Sequence, residues 1–114
     1  MNMIRCITLL LFVGLGWGQV EENIVSDICF YENFQKKHQR PYNNNIADGK
    51  WTHWYENGHK WIEGTYENGL QVGKWNTWYT SGQKWIEGSY KNNKRNGKWT
   101  FYNEDGTVFE VKEY

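Results

Sequence analysis

Two patterns of apolar and polar residues divide the chain. Residues 4–13 are almost continuously apolar, whereas from Gln19 onward aromatic residues and glycines recur at fixed intervals among polar residues. Alternation with a period of two is typical of strands, and the second part has no sustained helical period. Residues 27–37 are the one place where a short helix could compete, and their match to the repeat described next favours a strand.

A 24-residue repeat organises the second part. Residues 51–74 and 75–98 are identical at thirteen of 24 aligned positions, which chance does not produce. The frame continues into a partial copy at 99–114 and reaches back to a degenerate copy at 27–50, which a short segment at 19–26 precedes. An irregular terminal copy is what the end of a repeat array requires.

Each copy predicts a β-hairpin. Asn57 and Gly58 favour a two-residue type I′ turn, because both residues accept a positive φ. In the register that this turn sets, rings lie over glycines of the opposite strand, and the same pairs recur in the next copy. The predicted pairs are Trp54 with Trp61, His53 with Ile62, Thr52 with Glu63, Trp51 with Gly64, Gly49 with Tyr66, Trp75 with Gly88 and Gly73 with Tyr90.

The link between hairpins predicts a second two-residue turn at Asn68 and Gly69, although the equivalent pair, Asn92 and Asn93, lacks the glycine. Cross-strand ion pairs contribute only about 0.2–1 kcal/mol each, but they discriminate between registers. The partners expected across this link are Glu63 with Lys74, Ile62 with Trp75 and, one copy later, Glu87 with Lys98.

The period of two sorts the side chains onto two aromatic faces, which predicts an all-β fold. The expected architecture is an antiparallel meander of tandem hairpins in a single elongated, twisted sheet. One face is predicted to carry Trp51, Ile62, Tyr66, Trp75, Ile86, Tyr90, Trp99 and Phe101, and the repeat is defined structurally by Trp51, Gly64, Tyr66, Trp75, Gly88, Tyr90 and Trp99. The other face is predicted to carry Trp54, Trp61, Trp78, Trp85, Tyr102 and Phe109, bordered by Lys50, Thr52, Glu63, Lys74, Glu87 and Lys98.

The apolar first part has the outline of a secretory signal peptide over residues 1–18, with Arg5 before the apolar stretch and a cleavage site ending at Gly18. The run is too short for a stable transmembrane anchor, and a short strand or helix of the fold is the alternative. Cleavage removes Cys6 and leaves Cys29 without an intramolecular partner, either buried and inert or paired between molecules. The protein is therefore expected to be secreted or periplasmic.

Composition and spacing exclude several function classes. With 13 basic and 13 acidic residues, the chain lacks the cationic excess that nucleic-acid binding or an anionic membrane surface requires. No cluster of Cys or His predicts a metal site, and no cofactor is expected. His53 aligns with an aromatic position and is expected to be a packed ring, whereas His59 lies beside a turn and is expected to be solvated. Glu63 and Glu87 recur once per copy, whereas catalysis needs one site, so no catalytic residue is predicted.

The glycines and rings of each copy fall at fixed spacings, and the pattern that begins at Gly49 begins again at Gly73 and at Gly97. In the first of these copies it consists of Gly49-Lys50-Trp51, Trp54-Tyr55-Glu56-Asn57-Gly58, Lys60-Trp61, Gly64, Tyr66 and Asn68-Gly69. This pattern resembles the MORN repeat and, more narrowly, its bacterial variant, over residues 27–114. The resemblance implies a single-layer meander that serves as a scaffold for protein association, with lipid-headgroup contact proposed for some eukaryotic members. Asn93 and Lys112 depart from the pattern, each in place of a glycine.

The second face is the candidate binding surface, because an exposed aromatic area of this size marks interaction sites. The main hypothesis is a non-catalytic exported scaffold that binds an unidentified protein through Trp54, Trp61, Trp78, Trp85, Tyr102 and Phe109. The alternative is a glycan- or cell-wall-binding module, which regularly exposed Trp pairs would favour, and burial of this face in an oligomer would favour the protein hypothesis. An enzyme would require a single cleft that brings His53 to a carboxylate.

Overall fold

The computed structural model describes residues 5–13 and 22–114, which form ten strands. The strands are β1 (Arg5–Val13), β2 (Glu22–Phe30), β3 (Lys36–Asn43), β4 (Ile46–Ala47), β5 (Gly49–Trp54), β6 (Lys60–Glu67), β7 (Leu70–Trp78), β8 (Lys84–Lys91), β9 (Lys94–Tyr102) and β10 (Val108–Glu113). They build one antiparallel sheet in the order β1-β2-β3-β5-β6-β7-β8-β9-β10, with the short β4 paired to β3. The predicted all-β meander is confirmed.

No helix in the described ranges has the length and apolar character that crossing a bilayer requires.

The longer turn of each hairpin differs from the predicted two-residue turn. Tyr55 donates its backbone N–H to the carbonyl of His59, and Gly58 donates to the carbonyl of Tyr55, which makes a three-residue loop closed by a bulge. Trp54 therefore pairs with Lys60, and the predicted pair of Trp54 with Trp61 is wrong. Beyond the bulge the predicted register is confirmed: His53 pairs with Ile62, Thr52 with Glu63, Trp51 with Gly64, Gly49 with Tyr66, Trp75 with Gly88 and Gly73 with Tyr90.

The shorter turns are two-residue turns, as predicted. Asn68 and Gly69 have φ values of 49° and 81°, the conformation of a type I′ turn. Asn92 and Asn93, with φ values of 48° and 69°, make the same turn without a glycine. Asparagine tolerates a positive φ better than other residues with a Cβ, so the missing glycine does not change the turn.

A second bulge interrupts the pairing of β6 with β7. Gly73 has a φ of 66°, and after it Glu63 pairs with Asn76 and Ile62 with Thr77. The expected pairs of Glu63 with Lys74 and Ile62 with Trp75 are therefore wrong, and so is Glu87 with Lys98, because Glu87 pairs with Thr100. Three residues of β7, Gly73 to Trp75, stand against the single Gly64 of β6, and the two extra residues coincide with the place where the indole of Trp75 lies over Gly64.

Each covered glycine lies between two neighbouring strands, and the ring that covers it comes from the next hairpin and not from its own hairpin, as had been predicted. Although Trp51 is the register partner of Gly64, it is Trp75 on β7 whose ring a Cβ at Gly64 would overlap. Trp99 covers Gly88 in the same way, whereas no side chain comes within 4 Å of the Cβ position of Gly73. The expected cover of Gly73 by Tyr90 is therefore wrong, and the Trp-over-Gly contact joins successive copies rather than the two strands of one hairpin.

At its N-terminal end the sheet includes β1, which pairs with β2 along its whole length. Cys29 is 2% exposed, but it is buried as one half of a disulfide with Cys6 and not as the free thiol that was expected. The expectation that Cys29 lacks an intramolecular partner does not hold for the full chain; it applies to a chain from which β1 has been removed. Removal of residues 1–18 stays a prediction, and its cleavage site lies outside the described residues.

The sheet has one layer and almost no core. Among the residues whose burial is described, only Cys29, Thr52, Gly64, Gly88, Trp99 and Thr100 are less than 9% exposed, and no large side chain falls below 2%. A sheet normally buries one face against a second layer. Residues 5–13 and 22–114 supply no second layer, so the two faces of the sheet are the surfaces that a partner could contact.

Candidate functional site

A row of seven aromatic rings crosses one face of the sheet, with one ring from β3, one from each of β5 to β9 and the last just after β10. The rings are Tyr42, Trp51, Tyr66, Trp75, Tyr90, Trp99 and Tyr114, with successive centroids 4.6–6.3 Å apart and mostly edge-to-face. Such contacts add to the stability from buried area, because ring edges and ring faces carry opposite partial charges. We call this side of the sheet the ring face, and its rings give the single layer much of the packing that a core would supply.

Trp61 and Trp85 also lie on the ring face. Trp61 stacks on Tyr55 with centroids 5.7 Å apart and contacts His53, which itself contacts Trp51. Trp85 stacks on Tyr79 in the same way at 5.3 Å. The prediction that these two tryptophans share a face with Trp54 and Trp78 is wrong, because the bulge beside each long turn resets the alternation of side chains.

Trp61 and Trp85 are exposed, at 40% and 39% of their surface. Phe109 follows in the next copy, beside the bulge of β10, and is 71% exposed. The three side chains occupy equivalent positions 24 residues apart. They present large apolar surfaces to solvent near the long turns, and this exposure was predicted from the sequence, although their common face with the rings was not.

The opposite side, which we call the charged face, carries Trp54, Trp78 and Tyr102 beneath Lys and Glu side chains. The ammonium of Lys36 lies 5.7 Å from the ring centre of Trp54, and that of Lys60 lies 5.8 Å from the ring centre of Trp78. Lysine stems cover apolar surface while their charge stays in water. These predicted binding residues are therefore half-buried, and their rings are partly shielded from a partner.

The carboxylates of the charged face have lysine partners within their own hairpin. Partial burial acts to raise the pKa of Glu63, but hydrogen bonds and charge from Lys60 and Lys50 outweigh it and hold the pKa below its ordinary value. Glu87 accepts hydrogen bonds from Lys84 and from the hydroxyl of Tyr102, and these lower its pKa. Both carboxylates stay ionised, so neither is poised as a general acid at neutral pH.

The N-terminal end of the ring face carries a small group of ionisable residues. His38 Nε2 lies 3.3 Å from the carboxylate of Asp27, which also pairs with Arg40, and the imidazole of His38 lies 5.5 Å from that of His53. Burial lowers the pKa of His53, and the nearby His38 and Arg40 lower it further. His53 is a packed ring, as predicted, and the exposed His59 is solvated, as predicted.

This group does not form a nucleophilic site. In the described part of the chain, neither His38 nor His53 is hydrogen-bonded to a serine hydroxyl or a thiol. The sulfur of Cys29, on the neighbouring strand, is held in the disulfide. Cys6, Asp27 and Cys29 bring possible ligand atoms within 4.8 Å of one another, but disulfide sulfurs are not the thiolates that bind metals.

Charged residues border the ring face at both ends. Arg40 and Lys112 stand at the repeat position that Gly64 and Gly88 hold in the two middle copies. Arg40 pairs with Asp27, and the ammonium of Lys112 lies 3.7 Å from the carboxylate of Glu110. Between them, strands β5 to β8 present no Lys, Arg, Asp or Glu on this face. The ring face therefore has an uncharged aromatic centre between two charged ends.

A shallow open groove of about 470 Å³ lies between two successive long turns, close to the charged face. Its lining residues are His59, Lys60, Trp78, Ser81, Gly82 and Gln83. One half-buried ring surrounded by polar groups distinguishes this groove from the ring face.

Comparison with known families gives one match. A family described as MORN repeat variant matches residues 47–68, 71–92 and 95–114, more than half of the chain. The three matched segments begin 24 residues apart, which is the period of the rings, the glycines and the turns. Comparison with curated proteins and with solved structures found no match.

Proposed function

Because the chain belongs to the MORN repeat variant family, a non-enzymatic family whose repeats generally serve in protein and membrane interaction, we propose that it binds a protein through its ring face. The observation that carries the proposal is the uncharged aromatic centre of this face, with Trp61 and Trp85 exposed beside it. Protein interfaces have the same plan, an aromatic centre depleted of charge and a polar rim.

The side chains of the two exposed tryptophans are already ordered in the unbound protein. Each one is fixed by stacking on a tyrosine, Trp61 on Tyr55 and Trp85 on Tyr79. Those tyrosines are held in turn, since the hydroxyl of Tyr55 donates to the carbonyl of Trp78 and that of Tyr79 to the carbonyl of Tyr102, both at 2.7 Å. Side chains that are already ordered lose little entropy on binding, which favours affinity.

The signal-peptide outline of residues 1–18 places this function outside the cytoplasm in our proposal. The neutral net charge fits a binding surface that depends on apolar contact rather than on attraction to nucleic acid or anionic lipid. A bacterial origin, an envelope location and the absence of catalysis belong to the same proposal.

The test compares two matched double variants in capture of envelope proteins by the tagged full chain. Trp61→Ser with Trp85→Ser removes the exposed rings of the ring face, and Trp54→Ser with Trp78→Ser removes the equivalent number of rings from the charged face. We expect the first pair to abolish capture and the second to retain it. Capture that survives the first pair and fails with the second would show that the charged face binds the partner and would overturn the proposal.

The groove beside Trp78 favours glycan binding as the second candidate function. Sugars pack a face against an aromatic ring and hydrogen-bond to polar groups around it, and His59, Ser81 and Gln83 supply such groups. Cosedimentation of the full chain with cell-wall polymer tests this function. Loss of binding in Trp78→Ser, with binding retained in Trp61→Ser, would favour the glycan over the protein.

A further inference from the structure

The ring face lacks the second layer that a β-sheet of this kind normally has. We infer that a second copy of the chain supplies it, in a homodimer whose two ring faces pack against each other. The inference rests on the proposed function, because it names the protein partner of the same face.

The exposed area of the chain supports this partner. The full chain exposes 8021 Å². A compact monomer of its mass, 13.7 kDa, exposes about 6,600 Å². The excess, on the order of 1,400 Å², exceeds the roughly 800 Å² that each partner buries in a standard interface. The excess area is therefore large enough for a standard interface with a second copy, and the chemistry of the surfaces decides which of them forms it.

The chemistry of the ring face suits contact with itself. A two-fold interface places the same surface on both sides, so a strongly charged patch would meet its own charge. The centre of the ring face, around Tyr66 and Trp75 on β6 and β7, carries rings and no charged side chain. At the ends, Arg40 pairs with Asp27 and Lys112 pairs with Glu110 within one chain. Arg95 on β9 has no carboxylate partner among the described residues, and its guanidinium lies 4.6 Å from the ring centre of Trp99. The unpaired charge that a second copy would meet is therefore confined to one end of the face.

The other surfaces are less suited to a second copy. Packing of the charged face would desolvate the ion pairs of Lys60 with Glu63 and Lys84 with Glu87, which opposes association. The edge strand β10 carries Glu110, Lys112 and Glu113, and charged edge residues discourage pairing with another strand. The other edge strand, β1, exposes Ile7, Leu9 and Leu10, but it belongs to the leader that our proposal removes on export. The centre of the ring face is then the surface whose burial removes apolar area with the least removal of charge from water.

Sedimentation velocity of the full chain over a range of concentrations tests the inference. We expect a species of twice the 13.7 kDa chain mass. Trp61→Glu with Trp85→Glu should weaken the dimer by about tenfold or more, because tryptophans that become buried in an interface are among the most costly residues to replace. The matched pair Trp54→Glu with Trp78→Glu should leave the dimer intact. A chain that is monomeric at every concentration overturns the inference, and so does a dimer that the ring-face pair leaves unchanged.

Photo-crosslinking keeps the test valid if a glutamate variant does not fold. Benzoylphenylalanine, itself aromatic, replaces one residue at a time at positions 61, 85, 54 and 78 of the full chain. Cross-linked dimer is expected from positions 61 and 85 and not from 54 and 78, and the opposite result contradicts a ring-face dimer.

A monomeric chain that still loses protein capture in Trp61→Ser with Trp85→Ser would overturn the homodimer and leave the proposed function standing. Retained capture in that variant would overturn the proposed function itself.

Discussion

The indole of Trp75 lies over Gly64 of the neighbouring strand, so closely that a methyl group on Gly64 would overlap the ring. The contact recurs between Trp99 and Gly88. It links each copy of the repeat to the next and coincides with the bulge in the pairing of β6 with β7.

Gly64→Ala is therefore expected to lower the free energy of unfolding by about 1–3 kcal/mol, because overpacking moves the Trp75 ring from its place in the row. Urea denaturation of the full chain measures the change. Lys112→Ala, at the equivalent position of the last copy, is the matched control and should change stability by less than about 0.5 kcal/mol. Equal effects of the two substitutions would mean that the ring contact is not what excludes a side chain at Gly64.

Tyr55→Phe and Tyr79→Phe each remove a hydroxyl that donates to a backbone carbonyl one copy further on, at Trp78 and Tyr102. Each substitution should cost about 0.5–1.5 kcal/mol of stability, the usual net contribution of one hydrogen bond. The rings remain to stack on Trp61 and Trp85. Capture of a protein partner should therefore be retained at temperatures well below the unfolding midpoint, and a loss of capture without a loss of stability would contradict this account.

The lowered pKa of His53 makes stability depend on pH. The unfolded chain takes up a proton at this imidazole near the ordinary pKa of 6.5, whereas the folded chain does so only at lower pH. The free energy of unfolding should therefore be steady above pH 6.5 and decrease as the pH falls below it, through the folded-state pKa. His53→Phe, which places at this position the residue that the last copy has at Phe101, should reduce the slope between about pH 7 and pH 5. If the slope of stability against pH is unchanged in this variant, the pH dependence comes from His38 instead. Burial lowers the pKa of His38 as well.

The signal-peptide prediction has a measurable consequence for the cysteines. The full chain holds Cys6 and Cys29 in a disulfide, so alkylation under denaturing, non-reducing conditions should label neither residue. If the leader is removed after Gly18, the exported chain begins at Gln19 and Cys29 should take one label. Intact mass spectrometry of the exported protein gives both answers. An exported chain that still begins before Arg5 would show that β1 is a permanent strand of the sheet.

Much of the fold could be predicted because the repeat shows its own period. The alternation of rings and the Asn-Gly pairs established the meander, the short turns and the register from Gly49 to His53. What the residue types could not show was the position of the bulges. The bulge beside each long turn inserts one residue and changes the face of the tryptophan next to it. The bulge between β6 and β7 inserts two residues where the Trp75 ring lies above Gly64, a contact between residues eleven apart on different strands.

The residues of the candidate surface could be predicted from the repeat, but the face on which they lie could not, because it depends on the position of the bulges. Trp61 and Trp85 were identified, but strict alternation from Ile62 placed them on the wrong face. One signal was available: Gly58 and Gly82 recur in the long turns, and a three-residue hairpin loop that ends on a glycine with positive φ commonly forms a bulge. The partial burial of Trp54 and Trp78 could not be predicted from the sequence, because only the structure shows the lysine side chains above their rings.

Lys112 gives the outer strand β10 a different surface from β6 and β8. Gly64 and Gly88 each accept an indole from the next copy, and Lys112 stands at the same repeat position of β10. A tryptophan of a strand added beside β10 would meet a side chain there instead of bare backbone. The contact that joins one copy to the next is therefore not offered by β10, and a neighbouring strand would have to pack on it in another way.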